Sequence, residues 1–479
     1  MTSTRIGAPV ASEAQGATAA LAEFIEQLTL ADIPSEVVAR GKYLILDGIA
    51  CGLLGARLPW SDRAVQAIGR LEGDGNALIW GWQQRVPAPA AALLNGTFVQ
   101  GFELDDYHPL GPLHSEACVI PAVVASAEQM GDVSGRRLLE SILLGFEVGP
   151  RIGMAMGGLA LVARGWHCGS IYGAIASAAA CSKLRGLDRL ESEDALGIAA
   201  TQACGLMSAQ FEAMVKRMHS GFAARSGVYA AALAEAGFTG IKRVIERDYG
   251  GFATTFAGGD PVYLERLTDA LGDRWEILRI AVKPPYACMG GLHAAIDAVL
   301  ELRRQAHFAI ERIARIEVGL ARAMYKHAGW RLERPAEVIG AQMNVAYAIA
   351  VSMLDGDAFV PQFTPDRLSQ DDVWRMMDRV IVSWDESLDS LGERSRWATR
   401  LAVHFTDGTV ERIEVTFPLG SSERPLSNED IGRKAQRLMA LVCDDRRADE
   451  IRDLVLNLEA LDSVADLTAL LAPSVRPAF

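Results

Sequence analysis

Four alanine-rich stretches constrain this chain more than any other feature, each entered through a glycine- or proline-bearing approach that carries a histidine or a lysine. The first, Ala117 to Ala127, follows NGTFVQGFELDDYHPLGPLH, the segment from Asn95 to His114. Gly165-Trp166-His167-Cys168-Gly169 opens the second, SIYGAIASAAACSKLRGLD. Lys216-Arg217-Met218-His219-Ser220-Gly221 precedes the third, AARSGVYAAALAEAGFTG, and Lys283-Pro284-Pro285-Tyr286-Ala287-Cys288 precedes the fourth, HAAIDAVLEL. Such apolar, small-residue runs read as buried helices packed closely through their small faces. Pro121 is tolerable only near a first helical turn, so the first of these helices is expected to begin close to it.

The approach to that helix gathers Glu103, Asp105, Asp106, Tyr107, His108 and His114. Acids and imidazoles are costly to bury unless they are paired or put to use. A carboxylate–imidazole cluster at the mouth of an apolar helix is therefore a natural place for proton transfer. A solvated acidic helix end is the competing reading, since carboxylates favour helix starts. The other three segments shift the balance, because each can turn a Lys or His toward one shared pocket.

At 479 residues the chain is long for one simple core, and two domains are expected. The N-terminus lacks a basic region followed by an apolar core, so it does not read as a secretory signal. The apolar run from Ile171 to Cys181 is too short to span a bilayer, and a cytoplasmic protein is expected. The seven cysteines are scattered without a CxxC pair, which argues against a zinc ribbon or an iron–sulfur cluster on clustered thiolates. All seven read as buried free thiols. A net charge of −13 argues against nucleic acid or an anionic membrane as partner. A local cluster can still favour an anionic substrate, and two of the few lysines, Lys216 and Lys283, fall inside the four segments.

Residues 17 to about 275 read as helical almost throughout, with loops at the Gly, Pro and Asp clusters. No glycine fingerprint stands at a strand-to-helix turn, and no GxxxxGK[ST] occurs, so a nucleotide cofactor is not indicated. Between about 310 and 420 the pattern turns to strands, at Ile313–Leu320, at Val380–Trp384, and at a hairpin from Ala402 to Phe417 with an Asp407-Gly408 turn. Amphipathic helix returns from Asn428 to Leu470. The reading is a mainly α fold. A large helical domain is formed by both ends of the chain, residues 1–278 and 419–479, and a smaller α+β lid domain, 279–418, is inserted between them.

Taken in order, the four segments resemble the MmgE/PrpD family, which includes 2-methylcitrate dehydratase, cis-aconitate decarboxylase and iminodisuccinate epimerase. The resemblance covers nearly the whole chain and implies the same two-part layout, a homodimer, and catalysis without metal or other cofactor. It implies that His114 and His167 act as acid and base, with Glu103 and Asp106 as the acidic partners. Lys216 and Lys283 would hold substrate carboxylates, with His219 and Tyr107 beside them. Proton abstraction α to a carboxylate of a small di- or tricarboxylate, followed by loss of water, is the first reading. Epimerisation and decarboxylation are the alternatives, and a non-catalytic helical scaffold is a remote third. Relatives carry His-x-x-Asp-aromatic-Asp-Asp-Thr where this chain has Gln100, Glu103, Leu104, Asp105, Asp106 and Tyr107. Cys288 stands near the place of a histidine found in some decarboxylases, and only Tyr325 offers a counterpart for their active-site tyrosine. These departures point away from the itaconate-forming reaction, toward a different or smaller substrate.

Overall fold

A computed structural model describes residues 16–392 and 397–479. It is mainly helical, as the alanine-rich runs require. The helices that position the site are α1 (Ser35–Gly55), α2 (Ala88–Val99), α3 (Ser115–Met130), α4 (Gly135–Ala155), α5 (Cys168–Arg185), α6 (His219–Glu235), α7 (His293–Arg303) and α8 (Asn428–Val442). α5 lies at the centre, packed against α3, α4 and α6, while α6 also packs on α2. Close approach explains the small residues. A Cβ on Gly221 of α6 would stand 2.2 Å from the Leu93 carbonyl oxygen of α2, and one on Gly96 would stand 2.8 Å from Gly221 Cα. Only glycine on glycine permits that crossing. From the far end of the chain, α8 packs on α1. Among the described residues a large connected set of buried apolar side chains runs from Leu21 to Val475, beside a small separate one at Ala321, Leu388 and Ala398.

α3 begins at Ser115, not near Pro121, which lies inside it. Asp106 satisfies the backbone N–H groups of Ser115 and Glu116, so the helix starts six residues earlier than its proline suggests. Pro121 cannot donate to the carbonyl of Ala117. That oxygen faces Gly96, where a Cβ would come within 2.7 Å of it. A short hairpin also interrupts the stretch read as helical: β1 (Ala77–Ile79) pairs antiparallel with β2 (Gln84–Val86). Six cysteines are buried as expected, but Cys204 is exposed.

Two small sheets matter to the site. β3 (Asp106–Tyr107) pairs antiparallel with β4 (Ala281–Val282), Asp106 opposite Val282 and Tyr107 opposite Ala281. This brings Lys283 beside the acidic segment, although 178 residues separate it from Asp105. The larger sheet has the order β6-β5-β7-β8, with β5 (Ile313–Leu320) parallel to β6 (Val380–Trp384) and antiparallel to β7 (Thr399–Phe405). β7 and β8 (Val410–Val415) form the expected hairpin, and its turn residue Gly408 has φ +86°, which the Asp-Gly pair anticipated. α7 packs against β7 and β8. Among the described residues no helix is long and apolar enough to cross a membrane.

Candidate active site

The acidic segment turns sharply at Glu103, which follows a short 3-10 turn (Gln100–Phe102) and adopts φ +60°, ψ 32°. A non-glycine residue in this left-handed region is uncommon and persists where its surroundings over-determine it. Here the surroundings are cations. Oε1 of Glu103 accepts from Lys216 Nζ and, at 2.5 Å, from Arg217 Nη1, while Oε2 lies 3.4 Å from Lys283 Nζ. Asp105 takes the other side of Lys283 at 3.2 Å, and its second oxygen stands 2.8 Å from His114 Nδ1. Gln342 locks the arrangement from behind. Its side-chain oxygen accepts from Arg217 at 2.6 Å, and its amide donates to the carbonyls of Ala287 and Phe102.

Burial alone would push both carboxyls up, but the cations win. Lys216, Lys283 and Arg217 hold Glu103 well below the usual carboxylate range, and Lys283 and His114 hold Asp105 at about 2. Burial likewise opposes the charge on both lysines. For Lys283 the two carboxylates outweigh it and raise its affinity for the proton. For Lys216 burial prevails over Glu103, and the ammonium is lowered to about 8. The result is three buried cations against two carboxylates, an excess positive charge before His114 is counted.

The imidazoles differ by environment. His114 is partly exposed and immediately precedes the first residue of α3. Its ring stacks on His167, with centroids 6.1 Å apart and planes within 9°. His167 in turn meets His219 at 4.7 Å. Burial, with His219 and Lys216 nearby, drives His167 well below the usual histidine range, and burial and Lys216 bring His219 to about 4. Both rings are thus neutral at physiological pH. His108 is a buried turn residue. Its Nδ1 accepts from the Gly111 N–H at 2.9 Å and its Nε2 lies 3.3 Å from Glu276.

These groups face a cavity of about 800 Å³, walled by Leu159, Val162, Met207, Met289, Met324 and Met343. Of the residues the sequence singled out, Glu103, Tyr107, His108, His114, His167, Lys216 and Lys283 line it. Asp106 and His219 do not. The Asp106 carboxylate accepts the Ser115 and Glu116 N–H groups at 2.9 and 3.0 Å, and burial and the neighbouring Asp105 raise it to about 7. His219 supports His167 through ring contact. Tyr107 packs edge-on against Trp397 at 5.0 Å. Tyr325 is exposed and does not line the cavity, and Cys288 lies buried with its thiol pushed up by desolvation. Sequence reasoning passed over Arg217 and Gln342, which complete the Glu103 cage, and His327, which lines the cavity with Arg322 and Lys326. Arg217 stood in plain view beside Lys216. Among the described residues, no group of three or more His, Cys, Asp or Glu side chains is placed to hold a metal ion.

A preorganised cation cage, an imidazole steered by a carboxylate and an apolar wall suit chemistry on a small polycarboxylate. Residues 19–264 match the MmgE/PrpD N-terminal domain and residues 286–460 the MmgE/PrpD C-terminal domain, and the chain belongs to the MmgE/PrpD family. Within the family it is 42% identical to a cis-aconitate decarboxylase-like protein of Aspergillus oryzae, over 95% of this chain and 97% of that one. It is also 42% identical to the cis-aconitate decarboxylase of Aspergillus terreus, over 96% and 97% of the two chains. With the human cis-aconitate decarboxylase it shares 27% identity over 95% and 94%.

Proposed function

We propose that this chain decarboxylates a small unsaturated tricarboxylate of the cis-aconitate type. The observation that carries the reading is the Lys283–Asp105–His114 chain, which puts an imidazole and an excess cation on the same wall of the cavity. In such a substrate the departing carboxylate hangs on a carbon next to a C=C bond. Breaking that C–C bond releases CO2 and leaves its electron pair in an allyl system conjugated with a second carboxylate. Lys216 and Lys283 stabilise the extra charge on that carboxylate. His114, held by Asp105 at 2.8 Å, delivers a proton to the far carbon and so shifts the double bond. His114 is partly exposed, so solvent returns its proton. No metal or organic cofactor is invoked.

Loss of water was the first reading from sequence, but near-full-length similarity to proteins named as decarboxylases favours the alternative. Two of the substitutions that pointed away from it are absorbed locally. Glu103 does the work of a carboxylate with a longer arm, and Gln100 accepts from Ser220 Oγ at 2.8 Å. The test is to incubate the protein with a panel of di- and tricarboxylates, chelator present throughout, and to follow CO2 and products by NMR. CO2 release from an unsaturated tricarboxylate supports the proposal. Water loss from a hydroxylated acid, with no CO2 from any member of the panel, overturns it.

We also infer that the chain acts as a homodimer. Tyr229 and Leu233 of α6 are exposed, as are Phe211, Met214, Val215 and Phe238 from flanking segments. Exposed large apolar side chains concentrated on a central helix and its neighbours mark an interaction surface, and a second copy is the partner most soluble oligomers choose.

A further inference from the structure

Lysine is scarce in this chain, and where it is buried it converges on one tripeptide, Glu103-Leu104-Asp105. Of seven lysines only Lys216, Lys283 and Lys434 are buried. The first two reach Glu103 and Asp105 and also line the cavity. The third comes from α8 and does not line it. Lys434 Nζ donates to the Leu104 carbonyl oxygen and, at 2.7 Å, to Asp47 Oδ2 of α1. Leu104 is the residue between the two carboxylates of the cage. We propose that Lys434, anchored by Asp47, is a positioning residue: by fixing the Leu104 carbonyl it sets the directions in which Glu103 and Asp105 point, and it acts on catalysis through them.

The backbone explains why such an anchor is needed. Glu103 occupies the left-handed region, so the chain reverses there and the Leu104 carbonyl turns toward α8. A strained turn of this kind holds only when both of its faces are tied. Lysine suits the back face because one ammonium carries three donors and can serve a carbonyl and a carboxylate together. Burial opposes its charge, but Asp47, Cys51 and Glu116 outweigh that and raise its hold on the proton. Neither carboxyl oxygen of Glu116 meets a hydrogen-bond partner among the described residues, and burial pushes that acid well above the usual carboxylate range. Glu116 thus offers Lys434 no hydrogen bond. Asp47 is left as the hydrogen-bonded counter-ion.

The inference takes its catalytic meaning from the proposed decarboxylation, so its test includes a readout that needs no substrate. Lys434→Met removes the donor to Leu104 but leaves Asp47 buried without its counter-ion. The double variant Asp47→Leu/Lys434→Met replaces the whole pair by apolar side chains, a change that buried ion pairs commonly tolerate without loss of stability. The expected result is a lowered Tm for Lys434→Met that recovers in the double variant. In the double variant kcat stays reduced by about 10- to 100-fold, the scale on which misplaced groups cost rate. The ring 15N shifts of His114, which report its contact with Asp105 at 2.8 Å, should move in the double variant although neither substituted residue touches His114. A double variant with wild-type kcat and unmoved His114 shifts overturns the inference and reduces Lys434 to a counter-ion for Asp47. If wild-type protein fails to release CO2 from any tricarboxylate, the proposed function falls, and the 15N shifts alone still decide the role of Lys434.

Discussion

Replacing Glu103 by Gln tests the cage where it is most heavily loaded. The substitution keeps the side chain's shape but removes the charge that holds Lys216, Arg217 and Lys283, all buried. Breaking a buried ion pair from one side costs about 3–5 kcal/mol, because a charge is left uncompensated. At about 2.1 cal/mol/K per residue, unfolding a chain of 479 residues carries an entropy near 1 kcal/mol/K, so Tm should fall by about 3–5 °C. Part of the penalty is escaped through Lys216. Burial already lowers it to about 8, and without Glu103 it drops further and sheds its proton at neutral pH. That escape costs function. One charge-assisted contact to substrate is worth about 1.5–3 kcal/mol, or about a 10- to 150-fold loss in kcat/KM. Circular dichroism melts and steady-state kinetics read both effects, with Glu103→Asp as a control that keeps the charge on a shorter arm. A Gln variant that melts at the wild-type temperature and keeps its kcat/KM would refute the cage.

Other outcomes follow from the same geometry. His114→Ala should lower kcat by about 10²–10⁴-fold with little change in KM, since a proton donor contributes in the transition state; an unchanged kcat removes His114 from the chemistry. The Lys216 charge is present below its folded pKa of about 8 and lost above it, so kcat/KM should fall as pH rises through about 8. Lys216→Arg should push that limb upward, because a guanidinium stays protonated, and a limb that stays in place assigns it to another group. Light scattering at micromolar concentration should give twice the 51.6 kDa chain mass, and a charge introduced by Tyr229→Glu should halve it; a wild-type monomer contradicts the dimer.

What the sequence disclosed was local. The Asp407-Gly408 hairpin, the strands at Ile313–Leu320 and Val380–Trp384, and the helix entrances bearing His114, His167, Lys216 and Lys283 all carry their signal within a few residues. What it withheld was pairing at a distance. Nothing near Glu103 announces that Arg217, Gln342 and Lys283 will meet around it, or that Lys434 will reach Leu104 across 330 positions. Asp106 was ambiguous for a related reason. An acid ahead of an apolar helix serves equally as proton carrier or as cap, and only the 2.9 and 3.0 Å bonds to Ser115 and Glu116 show that it caps. The early start of α3, against the expectation from Pro121, follows from that same cap.

The central claim is that this cavity expels CO2 and then delivers one proton to the far end of an allyl carbanion. Turnover of cis-aconitate in D2O, followed by NMR, tests it most directly. The account predicts CO2 and a dicarboxylate with a terminal C=CH2 group, carrying a single deuterium on the methylene beside the remaining carboxylate, with formation lost in His114→Ala. Recovery of the tricarboxylate hydrated, or with its skeleton intact and deuterium incorporated, would contradict it.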